Sequence, residues 1–140
     1  TSFDSIETKP VPATAALRGP TTEVPLDDEY RTIRGLIMLG KLDEARGLAT
    51  ERSDLLGACA QAELLALEGD AKTARRVLQE AMDEVDEDAP GYPEGLWGLA
   101  RYAAMVGKVR TAGRLLGELN DLAPGYRDAD IAVLRFAIKD

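Results

Sequence analysis

Histidine is absent from this chain, and cysteine occurs once, as Cys59. Without histidine there is no imidazole general base, no Ser-His-Asp or Cys-His arrangement, and little scope for a zinc site. A lone cysteine excludes an intrachain disulfide and is compatible with a reducing compartment without requiring one. Aromatic residues make up only 5%. No apolar run approaches the ~18 residues that cross a bilayer, and no signal-peptide pattern is visible. Positive charge is in deficit: 17 Lys and Arg stand against 25 Asp and Glu, a formal net charge of −8. Nucleic-acid affinity comes largely from neutralising phosphates, so neither nucleic acid nor an anionic membrane surface is an expected partner. We therefore expect no cofactor, no metal and no membrane insertion, and a cytoplasmic location. The chain opens on Thr1 rather than Met, so we read it as part of a longer protein that an upstream targeting segment can precede.

What is present is mostly Ala and Leu within a 45% hydrophobic content, a composition that favours helix over strand. One pattern occurs three times: Gly40-Lys41-Leu42-Asp43-Glu44-Ala45, Gly69-Asp70-Ala71-Lys72-Thr73-Ala74 and Gly107-Lys108-Val109-Arg110-Thr111-Ala112. Each Gly follows an apolar helical stretch, and each Ala opens another. A second echo, Ala89-Pro90-Gly91-Tyr92 and Ala123-Pro124-Gly125-Tyr126, recurs after 34 residues. A period near 34 with helix–turn–helix character indicates stacked helical hairpins.

Residues 1–25 differ from the rest. They hold four of the seven prolines, interleaved with Thr8, Thr14, Thr21 and Thr22, and read as an extended tail or linker. Residues 26–140 read as the helical domain. Asp27 or Asp28 caps a first helix through about Leu39, which Gly40 ends. A short helix follows from about Asp43 to Arg52. Ser53 or Asp54 caps a helix over about 55–68, and Asp70 caps one reaching about Asp86. Pro90 and Pro93 then break the chain. The next helices cover about 94–106 and 109–121, and an unpaired helix spans about 127–138. The Gly-to-Gly spacings of 29 and 38 are read as a short second helix in hairpin one and an extra turn in hairpin two. Leu78 and Leu116 are expected to be buried in the seams between hairpins.

These residues resemble the tetratricopeptide repeat (TPR) family over about 26–138. In that family a small residue on the first helix of each hairpin packs against an Ala early in the second. Ala62 and Ala100 match the first role; Ala45, Ala74 and Ala112 match the second. The turn Gly40–Ala45 and the closing Asp121-Leu122-Ala123-Pro124 also match. Ile33 stands where a small residue is usual, Trp97 lies one position after the usual aromatic, and Arg52 replaces a small residue. The resemblance implies an all-α fold, a right-handed α-solenoid of about three hairpins plus a C-terminal capping helix. It also implies a protein-interaction module rather than an enzyme. The family's chaperone-tail groove uses Lys and Asn, where this chain has Tyr30, Arg34, Ala60 and Gly98.

Stacking the hairpins by their shared pattern aligns equivalent faces of the first helices on the concave side. The aligned sets are Tyr30, Arg34 and Met38; Cys59, Glu63 and Leu67; Trp97, Arg101 and Met105; and Ile131, Arg135 and Lys139, each spaced by four. Tyr, Trp, Met and Arg are interface-forming types. We take Tyr30, Arg34, Met38, Glu63, Trp97, Arg101, Met105 and Arg135 as the candidate peptide-binding groove. Arg34, Arg101 and Arg135 form a positive strip suited to an acidic segment or a C-terminal carboxylate.

Other features carry less. Cys59 sits mid-helix with no histidine to activate it and reads as a packing residue. The run Asp83, Glu84, Asp86, Glu87, Asp88 lacks the spacing of a calcium loop and reads as a solvated helix end. Thr21 and Thr22 are candidate phosphorylation sites in the tail. Thr1 is a candidate N-terminal nucleophile only on a scaffold for which this chain shows no sign. The leading expectation is a module of a larger multidomain protein or assembly that binds a protein or peptide. One alternative is self-regulation, the tail occupying its own groove or a neighbour's and so giving self-association; another is a small hydrolase using Thr1 or Cys59.

Overall fold

The computed structural model describes residues 26–139, among which there are seven helices and no strand. They are α1 (Asp28–Met38), α2 (Leu42–Thr50), α3 (Leu55–Leu67), α4 (Ala71–Asp83), α5 (Tyr92–Met105), α6 (Val109–Leu122) and α7 (Asp128–Lys139). The tail over 1–25, with Thr1, Thr21 and Thr22, lies outside the described residues. No helix among the described residues is long and apolar enough to cross a membrane.

Local chemistry explains where the helices start and stop. Asp27, Asp54 and Asp70 each accept a hydrogen bond from the backbone N–H three residues on, at 2.8, 3.0 and 3.1 Å. Each satisfies one of the donors a helix N-terminus leaves open. At Gly40 the backbone turns to φ +80°. There the Gly40 N–H donates to Ile37 O at 3.0 Å and the Lys41 N–H to Leu36 O at 2.9 Å. This is a Schellman closure, and it needs the left-handed conformation that glycine adopts without penalty. The same pair of bonds closes α3 and α5, so the repeated sequence is a repeated turn.

Three boundaries differ from expectation. α4 ends at Asp83 rather than Asp86, because an acidic run meets the negative end of the helix dipole. The extra residues of that hairpin therefore lie in the connection over 84–91, not in a longer helix. α2 ends at Thr50, and Arg52 leaves the helix to pair with Asp27, Glu29 and Asp54. α5 begins at Tyr92 with Pro93 in its first turn, where a missing N–H costs nothing.

The helices pack as neighbouring antiparallel pairs, most extensively α3 with α4 and α5 with α6. Ala45, Ala62, Ala74, Ala100 and Ala112 are all fully buried, as are Leu78 and Leu116. α5 lies deepest, and its closeness to α4 depends on glycine: a β-carbon on Gly98 would sit 2.7 Å from Leu78 Cδ2. α7 rests sparsely on α6. Its outer face is apolar, unlike the polar outer face of a terminating repeat.

Leu116 is sealed on every side. Leu116→Ala is expected to cost roughly 2–5 kcal/mol in urea melts, the range for a core leucine that leaves a cavity. A loss below ~1 kcal/mol would show that the site collapses or is not core.

Candidate functional site

A concave cavity of about 140 Å³ opens among α1, α3 and α5. Its floor holds small residues, Ala60 and Gly98, beside Cys59 and Leu78; its walls hold Tyr30, Arg34, Glu63, Trp97 and Arg101. Six of the eight expected groove residues line it: Tyr30, Arg34, Met38, Glu63, Trp97 and Arg101. Met105 lines a separate depression with Arg101, Val109 and Leu134, while Arg135 is exposed on α7 and lines neither.

The cavity is held by a buried carboxylate that the sequence reading missed. Glu94 is only 5% exposed and accepts four hydrogen bonds. The Tyr30 hydroxyl donates at 2.7 Å, and Arg127 donates through Nε at 3.0 Å and Nη2 at 2.9 Å. The Tyr126 hydroxyl supplies the fourth. Burial alone would raise the Glu94 pKa; the hydrogen bonds and charge of Arg127, helped by the two hydroxyls, outweigh it and leave the pKa lowered. Burial, and then the Glu94 charge, push both tyrosine hydroxyls well up, so they remain donors. Arg127 takes φ +52°, an uncommon conformation for a side-chain-bearing residue, and the bidentate pair with Glu94 holds it there.

Two guanidinium groups lie close to the Trp97 ring. Arg101 is 5.8 Å and Arg127 5.6 Å from its ring centroid, within cation–π range. Arg101 is in turn engaged by Glu63, which accepts from Arg101 Nη1 at 2.6 Å and from the Tyr102 hydroxyl at 3.1 Å. Of the expected positive strip, Arg101 is therefore compensated, while Arg34 and Arg135 have no ion pair among the described residues. Of the cavity's three arginines, Arg101 and Arg127 are paired with carboxylates, and Arg34 has no ion pair among the described residues.

Cys59 is buried, and burial, then the charge of Glu94, raise its thiol pKa well above the usual range. The geometry fits a packing residue rather than a nucleophile. Among the described residues no group of His, Cys, Asp or Glu is arranged to hold a metal ion. One signal for Glu94 was present: the Ala-Pro-Gly-Tyr echo marks the turns that carry Tyr92 and Tyr126, flanking Glu94 and Arg127. Compared with family models, curated proteins and solved structures, the chain matches none.

Glu94→Ala strands Arg127 without its partner and is expected to cost about 3–5 kcal/mol, as for other broken buried pairs. Because the folded-state pKa of Glu94 is depressed, its contribution is complete above its ordinary value of 4.5 and is lost as pH falls through the lower folded value. Asp27, held at about 2 by hydrogen bonding to Arg52, loses its contribution as pH falls through that value. Urea melts between pH 7 and pH 2 should therefore show a shallower acid loss in Glu94→Gln than in the wild type. Native Cys59 should resist a disulfide-exchange reagent and react fully once the chain is unfolded; prompt reaction under native conditions would contradict its burial.

Proposed function

We propose that this chain is a TPR-like helical-repeat module, winding as a right-handed solenoid, that binds an acidic segment of a partner protein in the cavity among α1, α3 and α5. It acts by binding and not by catalysis. The observation that carries the reading is Arg34, a partly buried residue lining the cavity whose two arginine neighbours are already paired. Such a group offers a ligand carboxylate a fork of donors. A net charge of −8 over the whole chain makes this local donor selective, since the surrounding surface repels acidic partners that do not reach it.

A row of exposed apolar residues supports the same reading. Met38, Leu67 and Met105 each stand two residues before a turn glycine, and all three are exposed, at 83, 51 and 55%. Folding does not require apolar side chains at these equivalent places. Flexible Met and Leu side chains there suit a ligand that runs along the ends of the first helices.

Trp97 is the only tryptophan and lines the cavity, so its fluorescence reports occupancy. Titrating the full chain with Glu-rich and Lys-rich peptides of equal length should give saturation with the acidic series only, weakening with salt. Arg34→Ala should weaken that binding roughly 10-fold or more, as expected for losing a charge-assisted bond, with an unchanged melting curve. Equal response to both series, or an unaffected Arg34→Ala, would sink the proposal.

A further inference from the structure

The inner face of α7 packs through Ile131, Leu134 and Ile138. Its outer face presents Ala129, Ala132, Val133 and Phe136, all exposed, with Val133 at 70% and Phe136 at 76%. The 34-residue echo fixes the register with α5, where the equivalent positions are Gly95, Gly98, Leu99 and Tyr102. All four are buried, and the two glycines lie against Met82 and Leu78 of α4. On α5, then, this face is closed by a helix; on α7 no described residue covers it.

Charge and size identify which helix fits. At 3.6 residues per turn, Asp128, Arg135 and Lys139 fall along one flank of the outer face, the acid at the start and the two bases at the end. None of the three has an ion pair among the described residues. An antiparallel α7 from a second copy, related by a two-fold axis between Ala132 and Val133, meets all of these requirements. Ala129 lies opposite Phe136 of the second copy, small against large, and Ala132 and Val133 of the two copies stand at one level. On the flank, Asp128 falls between the levels of Arg135 and Lys139 of the second copy. We infer that the chain self-associates through α7 in this antiparallel, isologous seam.

One helix pair makes a small interface, below the ~1,200 Å² of stable complexes, so the dimer is of the weak, concentration-dependent kind. Sedimentation velocity of the full chain over a wide concentration range should show a monomer–dimer equilibrium. Phe136→Glu should raise its dissociation constant at least ~10-fold while leaving the helical circular dichroism unchanged. Phe136→Glu harms any helix docking, so the charge flank tests for a second copy. Asp128→Lys should weaken the dimer, and adding Arg135→Glu and Lys139→Glu to it should restore association. A wild type that stays monomeric throughout, a Phe136→Glu chain that still dimerises as well, or a triple variant without recovery would each overturn the inference.

Discussion

The buried pair of Glu94 and Arg127 is the constraint on which the rest of this structure depends. Removing a carboxylate from water costs several kcal/mol, and attraction to one cation does not reliably offset that. Here both oxygens are satisfied: Oε1 by Tyr126 and Arg127 Nε, Oε2 by Tyr30 and Arg127 Nη2. The donors come from α1 and from the turn before α7, which α5 thereby ties together. An apolar cluster of the same size could hold these elements equally well and tolerate a slip between them. The carboxylate cannot, since a slip leaves a charge buried without a partner.

The cavity follows from how α5 is seated. Its residues from Pro93 to Ala100 are all buried. A helix enclosed on several sides needs small residues at its closest approaches, which Gly95 and Gly98 provide against Met82 and Leu78. The same economy of side chain opens space where Gly98 and Ala60 face each other's surroundings without filling them. Trp97 lines that space with Arg101 and Arg127 close to its ring, each held in turn by a carboxylate, Glu63 and Glu94. The walls held in this way lose little freedom when the cavity is occupied.

The repeated turns, the aspartate caps and the buried alanines were legible because each is a local pattern: one residue type at a fixed offset with a single backbone consequence. The polar core was not. Glu94 stands 64 residues from Tyr30 and 33 from Arg127, and in a chain that is 30% charged one further glutamate carries no mark. The strip of arginines was read from helical spacing alone, which cannot reveal that Arg101 meets Glu63 from another helix, 38 residues away. The early end of α4 was missed because the helical apolar period runs on past the point where acidic charge gathers against the helix dipole.

α7 leans only sparsely on α6, so the polar contacts at its start act beside the packing of Ile131, Leu134 and Ile138 to set its position. There Arg127 binds Glu94 with one part of its guanidinium and Asp130, within α7, with another at 2.8 Å. The anchor that shapes the cavity wall therefore also aims the helix whose apolar face stands open. Arg127 adopts a backbone conformation that costs it energy, which is tolerable only while the bidentate pair persists. Any occupant of the cavity that competes for Glu94 or Arg127 would loosen α7 as well. An occupant that engages Arg34 alone leaves the pair intact and α7 in place. The free guanidinium and the engaged ones thus differ in consequence as well as in availability: the first is open to a ligand at no structural cost, and the others are already committed to holding the fold.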